Sequence, residues 1–293
     1  MIYSFLYVFI FSIALILIQK LDITIPPLFS LLVTTIIASI YFNMINRKSL
    51  KKIYTDCFQN KKEWFSVMLI VLIMWSMTMI GPGKIGASLF NFIYFAWLGT
   101  LGFLSLNFQD PKKYNKQFYF AVCLGTLIIV NILIELKHSF SFAVLTGIAL
   151  ALAGGTSSFI YFKKSQILAR SAHLSATQVL AVRFYLSIIF LLFFLPTYQV
   201  DAYLTLSNSF NLILLAFFSL IIPLYFSQKA LEKITPEQHA IINSLCPLIT
   251  GILQEITFND LKNEQFLIYL LYSAFVVSFY FINKLSTKLE ISR

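Results

Sequence analysis

The sequence predicts an all-α integral membrane protein whose ten transmembrane helices form two inverted five-helix repeats. Three observations support this prediction: ten long apolar stretches, an uneven distribution of basic residues between the loops, and an odd number of stretches in each half of the chain. Hydrophobic residues make up 59% of the 293 residues. A bilayer core about 30 Å thick is crossed by about 20 helical residues, so stretches of this length can span it.

The ten apolar stretches follow one another along the chain, with short polar loops between them. Hydrocarbon cannot satisfy the hydrogen bonds of a backbone, and none of the stretches shows the alternation typical of membrane β-strands. Each stretch is therefore expected to form a helix. The stretches are 2–18, 28–45, 64–80, 85–106, 117–134, 139–162, 174–195, 208–226, 237–258 and 265–283.

The net charge of +10 comes from basic residues that are concentrated in alternate loops. If the N-terminus is inside, the inside loops and the C-terminal tail hold 17 of the 22 lysines and arginines. The outside loops hold only Lys20, Lys84, Lys137 and Lys262. Basic residues in short loops stay on the cytoplasmic side, so both termini are predicted to be cytoplasmic. The charge thus indicates a multi-pass protein of the cytoplasmic (inner) membrane, in contact with lipid, and no nucleic-acid partner.

The apolar stretches divide into five and five at about residue 138, which predicts repeats at 1–138 and 139–293. With an odd number of helices in each half, the second repeat lies inverted in the membrane relative to the first. Inverted repeats are a recurrent way of building transporters. Spans four and nine show a short internal match, because Asn91 and Asn243 are each followed by a glycine eight residues later.

Two segments of the second half carry a family resemblance: Ala181-Val182-Arg183-Phe184-Tyr185 in span seven and Ala240–Leu248 in span nine, which includes Pro247. In these segments the sequence resembles the EamA module of the drug/metabolite transporter superfamily. The first half is similar in layout but departs from the pattern, since Thr34 stands where the second half has Arg183.

The resemblance implies a ten-helix EamA-type secondary transporter that works by alternating access. It implies a central site walled by spans one, three, four, six, eight and nine. Small organic metabolites such as amino acids, amines or related solutes are the expected substrates, and nucleotide sugars are a further possibility. The alternatives are a membrane-embedded enzyme or a non-transporting membrane scaffold.

Arg183 is the sharpest polar signal, because it lies near the middle of the seventh apolar stretch. A charge at the bilayer centre costs roughly 2.5–3.5 kcal/mol on insertion scales, so a partner must offset it. One interpretation is a wet cavity in which Arg183 binds a carboxylate or phosphate through two hydrogen bonds. The other is a structural arginine that bonds backbone carbonyls or a polar neighbour. The resemblance favours the structural role, because it places arginine here whatever the substrate.

Several other polar and aromatic side chains inside the spans are candidates for binding a substrate. Amides can bond a solute, large aromatic rings can stack on a planar or cationic one, and hydroxyls beside Gly154-Gly155 can line a pathway. The same residues can instead serve packing, since small residues let helices approach closely. Besides Arg183, the candidates are Asn91, Tyr94, Trp75, Ser157, Ser158, Tyr161 and Asn243.

Two prolines and two glutamates complete the candidates. Pro223 in span eight and Pro247 in span nine each remove a backbone donor, and broken helices near mid-membrane often mark transporter sites. Proline also occurs in ordinary membrane helices. Glu135 and Glu255 lie towards the outside ends of their spans and are the candidates for coupling transport to protons, although hydrated loop-edge groups would look the same.

Metal, cofactor and enzyme chemistry are not expected. The three histidines are far apart in sequence and near span ends, which predicts an interfacial position for His138, His173 and His239. The three cysteines are also far apart, so neither a disulfide framework nor a zinc site is indicated. No cluster of acids and histidines offers a catalytic site at membrane depth. The expected partners are a small-molecule substrate and lipid, with a possible homodimer.

Overall fold

The computed structural model describes residues 2–22, 24–109, 115–198, 200–258 and 263–291, and these residues are almost entirely helical, with no strand among them. A six-residue π-helix, Ala216–Ile221, and a 3-10 turn, Leu195–Thr197, interrupt the α-helices. The α-helices are α1 (Ile2–Asp22), α2 (Pro27–Ile45), α3 (Leu50–Gln59), α4 (Lys61–Ile80), α5 (Pro82–Ile85), α6 (Ala87–Gln109), α7 (Asn115–His138), α8 (Phe142–Ser171), α9 (Ala176–Val182), α10 (Tyr185–Leu192), α11 (Val200–Tyr203), α12 (Leu206–Leu215), α13 (Ile222–Leu231), α14 (Pro236–Asn243), α15 (Cys246–Phe258) and α16 (Asn263–Ile291).

Eight helical segments are long and apolar enough to cross a membrane. Their surfaces carry many exposed large apolar side chains, which suits contact with lipid chains. The described residues therefore form a multi-pass, all-α membrane protein. Two shorter apolar segments, Ala176–Leu192 and Glu264–Ser278, correspond to predicted spans seven and ten. The eight segments are Ile2–Leu21, Pro27–Ile45, Lys61–Ile85, Ala87–Gln109, Lys116–His138, Phe142–Ser171, Leu206–Leu231 and Pro236–Phe258.

Proline and short polar side chains set where several helices begin. Thr235 caps α14, since its hydroxyl accepts from the Gln238 amide at 3.3 Å and the Gln238 side chain bonds back to the Thr235 amide. Pro236 then occupies the first turn, where a missing N–H costs nothing. Ser141 caps α8 in the simpler way, by accepting from the backbone N–H of Val144. Both caps use residues that commonly begin helices.

At one end of the bundle, which we call the basic face, polar contacts link the ends of alternate helices. There the Asn46 amide, after α2, donates to the Thr177 carbonyl of α9 at 3.1 Å. Lys164 of α8 lies 3.3 Å from Glu63 of α4. This end carries the lysine-rich loops of the sequence prediction, among them 46–63 and 163–173.

The other end of the bundle, the opposite face, brings together the remaining helix ends. Gln19 at the end of α1 accepts from the Ala87 N–H at the start of α6, at 2.7 Å. Gln265 in α16 donates to Glu135 near the end of α7, at 3.0 Å. The basic residue Lys262 of the sequence prediction lies outside the described residues.

The predicted seventh span is not one continuous helix, because the structure breaks it at Arg183 and Phe184, between α9 and α10. The break frees backbone carbonyls, and side chains from other helices satisfy them. Trp64 Nε1 donates to the Val182 carbonyl at 2.8 Å, and Asn43 Nδ2 donates to the Ala181 carbonyl at 3.2 Å. The apolar run gave no sign of this break, because its compensating donors lie more than a hundred residues away in the chain.

Candidate functional site

Arg183 is fully buried at the break in span seven. Its Nη1 donates to the Tyr161 hydroxyl, and its Cζ lies 4.5 Å from the ring centre of Phe184 and 5.4 Å from that of Tyr161. Among the described residues, its Nε and Nη2 have no hydrogen-bond partner, and no carboxylate forms an ion pair with it. The guanidinium is thus held along one edge and left unsatisfied along the other.

A chain of buried polar groups holds the bonded edge of Arg183. The Tyr161 hydroxyl accepts from Gln228 Nε2 as well as from Arg183. Gln228 Oε1 in turn accepts from the Ser165 hydroxyl at 3.0 Å. Spans six, seven and eight therefore meet at Tyr161. Gln228 and Ser165 were not among the sequence candidates, because nothing in the sequence showed which buried amide or hydroxyl would reach Arg183.

The prediction that His239 is interfacial is wrong, because its side chain is fully buried. Its Nδ1 lies 3.0 Å from the Ser4 hydroxyl, and its Nε2 lies 2.8 Å from the Ser227 hydroxyl and 3.2 Å from Asn243 Nδ2. Spans one and eight cover the start of span nine and so bury a residue that is near its end in sequence. His138 and His173, by contrast, have exposed side chains.

The two matched asparagines lie on spans four and nine, which pack against each other. Asn91 Nδ2 donates to the Thr250 hydroxyl and lies 3.5 Å from Cys246 Sγ, so it bridges α6 to α15. Asn243 bonds within its own span, to His239. Both side-chain carbonyls, Asn91 Oδ1 and Asn243 Oδ1, are buried without a partner among the described residues.

The aromatic candidates lie in the buried core. Trp75 packs edge-on against Phe11, with ring centres 5.9 Å apart, and Phe11 packs in the same way against Phe95. Trp75 Nε1 is buried without a partner among the described residues. Tyr94 bonds Ser158 and joins span four to span six. The buried core therefore contains closely packed aromatic rings, and a few of its polar atoms have no hydrogen-bond partner among the described residues.

The Gly154-Gly155 pair serves close packing, as one of the two sequence interpretations held. A Cβ built on Gly155 would lie 2.6 Å from the backbone oxygen of Tyr94, and one on Gly154 would lie 2.8 Å from the Tyr94 ring. Ser157 points its hydroxyl at the carbonyl of Ala153 in its own helix, at 2.8 Å. The structure therefore joins Ser158, but not Ser157, to a neighbouring helix through a side-chain hydrogen bond.

Both proline candidates lie beside helix irregularities. Pro247 follows a break at Ser244 and Leu245, between α14 and α15. Pro223 follows the π-helix Ala216–Ile221 in span eight. A proline cannot donate to the preceding turn, which accounts for a disturbed backbone just before each one. Spans seven, eight and nine are all irregular along their length.

Residues 145–271 match the model of the EamA-like transporter family. The matched region holds Arg183, Tyr161, Gln228 and the irregular spans seven to nine. Over these residues, which are less than half of the chain, the protein is similar to EamA-type transporters of the drug/metabolite transporter superfamily. The family consists of membrane transporters of small solutes. No curated protein matches the chain.

The two glutamates proposed for coupling lie on α7 and α15, whereas Arg183 lies between α9 and α10. Glu135 is half-buried near the opposite face, where it accepts from Gln265 at 3.0 Å and from Ser139. Glu255 is exposed on α15. The structure does not bring either one to the central residues, and their role in coupling stays a prediction.

A different acid, Glu237, joins several helices at the basic face and was not among the sequence candidates. Its Oε1 lies 3.2 Å from Lys163 Nζ and accepts from the Ser105 hydroxyl and from Gln109 Nε2, each at 3.2 Å. Its side chain is only 6% exposed. In sequence Glu237 looks like an ordinary first-turn acid, and only the packing of α6 and α8 against α14 shows its role.

The opposite face contains a surface cavity of about 320 Å³. Pro26, Pro27 and Leu28 line one side of this cavity, and Lys84 and Tyr198 contribute to it. Lys84 is exposed there, so the cavity has a positively charged side chain at its wall.

Proposed function

We propose that the protein is a secondary transporter of small organic metabolites in the cytoplasmic membrane and that it works by alternating access. The observation that carries this proposal is the match of residues 145–271 to a transporter family. A buried, half-satisfied arginine among irregular spans supports it, because such groups are costly in a membrane and mark substrate pathways.

The proposal includes ten spans, with both termini cytoplasmic. The segments Ala176–Leu192 and Glu264–Ser278 serve as spans seven and ten, beside the eight longer ones. Span seven supports this count: the Ala176 N–H at its start bonds Glu232 at 2.9 Å on the basic face. The Tyr198 ring, after its end, packs on Phe29 at the start of α2, on the opposite face.

Two sets of contacts support an inverted relation between repeats 1–138 and 139–293. At the opposite face, the start of span four bonds Gln19 at the end of span one and Gln254 towards the end of span nine. At the basic face, Glu237 at the start of span nine contacts Lys163 at the end of span six and Ser105 towards the end of span four. An inverted repeat exchanges span one with six and span four with nine, so one set maps onto the other.

These two sets of contacts also support alternating access. They lie at opposite ends of the same helices, and each consists of side-chain contacts that can separate without unfolding a helix. In the present conformation, the Glu237 network joins three helices at the basic face, and a surface cavity lies beside Lys84 at the opposite face. We assign this conformation to the outward-facing side of the cycle.

Reporter fusions test the topology on which the proposal depends. A reporter that is active only in the cytoplasm should work when fused after residue 55, and one that is active only outside should work after residue 138. Fusions after residues 22 and 293 should read outside and inside. A C-terminus found outside would contradict both the even number of spans and the inverted repeat.

Counterflow into liposomes tests transport itself. Purified protein is reconstituted, loaded with one unlabelled solute at a time, and given the labelled form of the same solute outside. The panel contains amino acids, amines and nucleotide sugars, and empty liposomes are the control. We expect accumulation of at least one class above the control. Accumulation of none would count against a transporter of these metabolites.

A further inference from the structure

We infer that the free edge of the Arg183 guanidinium binds the carboxylate of the transported solute, so that the substrate is an organic anion or a zwitterion such as an amino acid. This inference rests on the proposed function, since it names the substrate class of the same central site.

The two unsatisfied nitrogens of Arg183 are the ones that a carboxylate needs. Nε and Nη2 lie side by side along one edge of the planar guanidinium, and both are buried without a partner among the described residues. A carboxylate accepts one hydrogen bond from each in the bidentate geometry that arginine prefers. The Tyr161 hydroxyl occupies Nη1 and leaves this edge free.

The break in span seven does not need Arg183, which argues against a purely structural role. One structural role for Arg183 would be to bond the carbonyls that the break frees, beside its bond to Tyr161. Those of Ala181 and Val182 instead accept from Asn43 and Trp64, which belong to other spans. These two carbonyls are therefore satisfied without Arg183, while the guanidinium edge has no partner among the described residues.

The charges of the surrounding protein favour an anion. The acids that pair with lysines in the described residues, Glu63, Glu232 and Glu237, do so at the basic face. None of them forms an ion pair with Arg183, so its positive charge is uncompensated in the core. A solute that is only a cation would add a second positive charge where water cannot screen it, whereas a carboxylate neutralises the first.

Three solutes of one carbon skeleton test the inference by binding rather than transport. Leucine carries both charged groups, isocaproate lacks the amine, and isoamylamine lacks the carboxylate. The midpoint of thermal unfolding of the full-length protein in detergent is measured against the concentration of each solute. Leucine and isocaproate should raise the midpoint with increasing concentration, because a ligand that binds only the folded state stabilises it. Isoamylamine should leave it unchanged.

Variants assign the effect to Arg183. In Arg183→Gln the shift should disappear, and in Arg183→Lys the apparent affinity should fall at least about tenfold, since an ammonium cannot form the two-bond edge. Arg170→Gln removes an exposed arginine of α8 and should bind as the wild type does. If the Arg183 variants do not fold, competition on the wild type still decides, because isocaproate should displace labelled leucine and isoamylamine should not.

Each contrary outcome overturns a stated part of the argument. Stabilisation by isoamylamine alone would overturn the carboxylate assignment and leave a transporter of amines standing. Undiminished leucine binding in a folded Arg183→Gln would place the carboxylate elsewhere. No shift with any of the three would overturn the inference, whereas the liposome panel tests the transport function independently.

Discussion

Replacing Glu237 by glutamine is expected to loosen the basic face. The Glu237 carboxylate accepts from Lys163, Ser105 and Gln109, so one side chain of α14 holds the ends of α6 and α8. Glutamine has the same size and keeps an Oε1 acceptor for these contacts, but it carries no negative charge to attract Lys163. The substitution therefore weakens the contacts that join these three helices without leaving a cavity.

The magnitude follows from the burial of the two charged groups. The Glu237 side chain is 6% exposed and that of Lys163 is 39% exposed, so water screens only part of the interaction. Hydrogen bonds to charged groups contribute about 1.5–3 kcal/mol, whereas a fully exposed ion pair contributes less than about 1 kcal/mol. Because glutamine keeps neutral hydrogen bonds, which contribute about 0.5–1.5 kcal/mol, the loss is about 1–1.5 kcal/mol and shifts the ratio of closed to open basic face by roughly 5-fold to 13-fold.

Distances between two spin labels measure this shift. Lys62 of α4 and Lys233, just before α14, have exposed side chains near the network and accept labels after substitution by cysteine. Cys123 is exposed and is replaced by serine. Cys57 and Cys246 are buried, which shields them from the label. Burial, with a smaller effect of the neighbouring carboxylate Asp56, also raises the pKa of the Cys57 thiol to about 12. Glu237→Gln should add a population with a longer distance.

A control separates this effect from a general loss of charge. Lys229→Gln removes an ion pair of 2.9 Å whose partner, Glu232, is three residues away, and it should leave the distances unchanged. The exchange of Lys163→Glu with Glu237→Lys should restore the short distance in part. A distance distribution in Glu237→Gln identical to that of the wild type would refute the role of the network in closing this face.

Three further predictions concern stability, each measured as apparent thermal unfolding in detergent. Gly155→Ala should cost about 1–3 kcal/mol, because its Cβ would crowd the Tyr94 backbone oxygen at 2.6 Å. The control is Gly125→Ala, because a Cβ built on Gly125 would have no atom within 4 Å, and this variant should be neutral or stabilising. Equal losses of stability in the two variants would contradict the packing argument. Gln19→Leu removes the acceptor of an N–H at the start of α6 and should cost about 0.5–2 kcal/mol, as loss of a helix cap does; an unchanged midpoint would show that water replaces it. The pKa of Tyr54 is raised by burial and by its hydrogen bond to Tyr185, so the neutral phenol is favoured in the folded state. Its contribution should be complete below about pH 10 and lost as the pH rises towards the raised pKa. The difference in unfolding midpoint between the wild type and Tyr54→Phe should therefore change above about pH 10 and not below it.

The membrane class and the positions of the apolar helices could be predicted from sequence because they depend on local properties. A run of apolar residues carries its own length, and a helix satisfies its own backbone whatever surrounds it. Helix starts such as the Thr235–Gln238 cap also depend on residues only three apart in the chain. The seven candidate polar and aromatic residues besides Arg183 were chosen because they lie inside apolar runs, which is also a local property.

The sequence by itself determined that Arg183 lies in an apolar run and needs a partner. Only the tertiary structure decided that the span breaks there, that Tyr161 takes one edge of the guanidinium and that the other edge has no partner among the described residues. The tertiary structure also buries His239, whose ring nitrogens bond Ser4 and Ser227, and makes Glu237 a contact between three helices. These facts depend on side chains that are distant in sequence and near in space, whereas hydropathy and helix signals act within a few residues of one another.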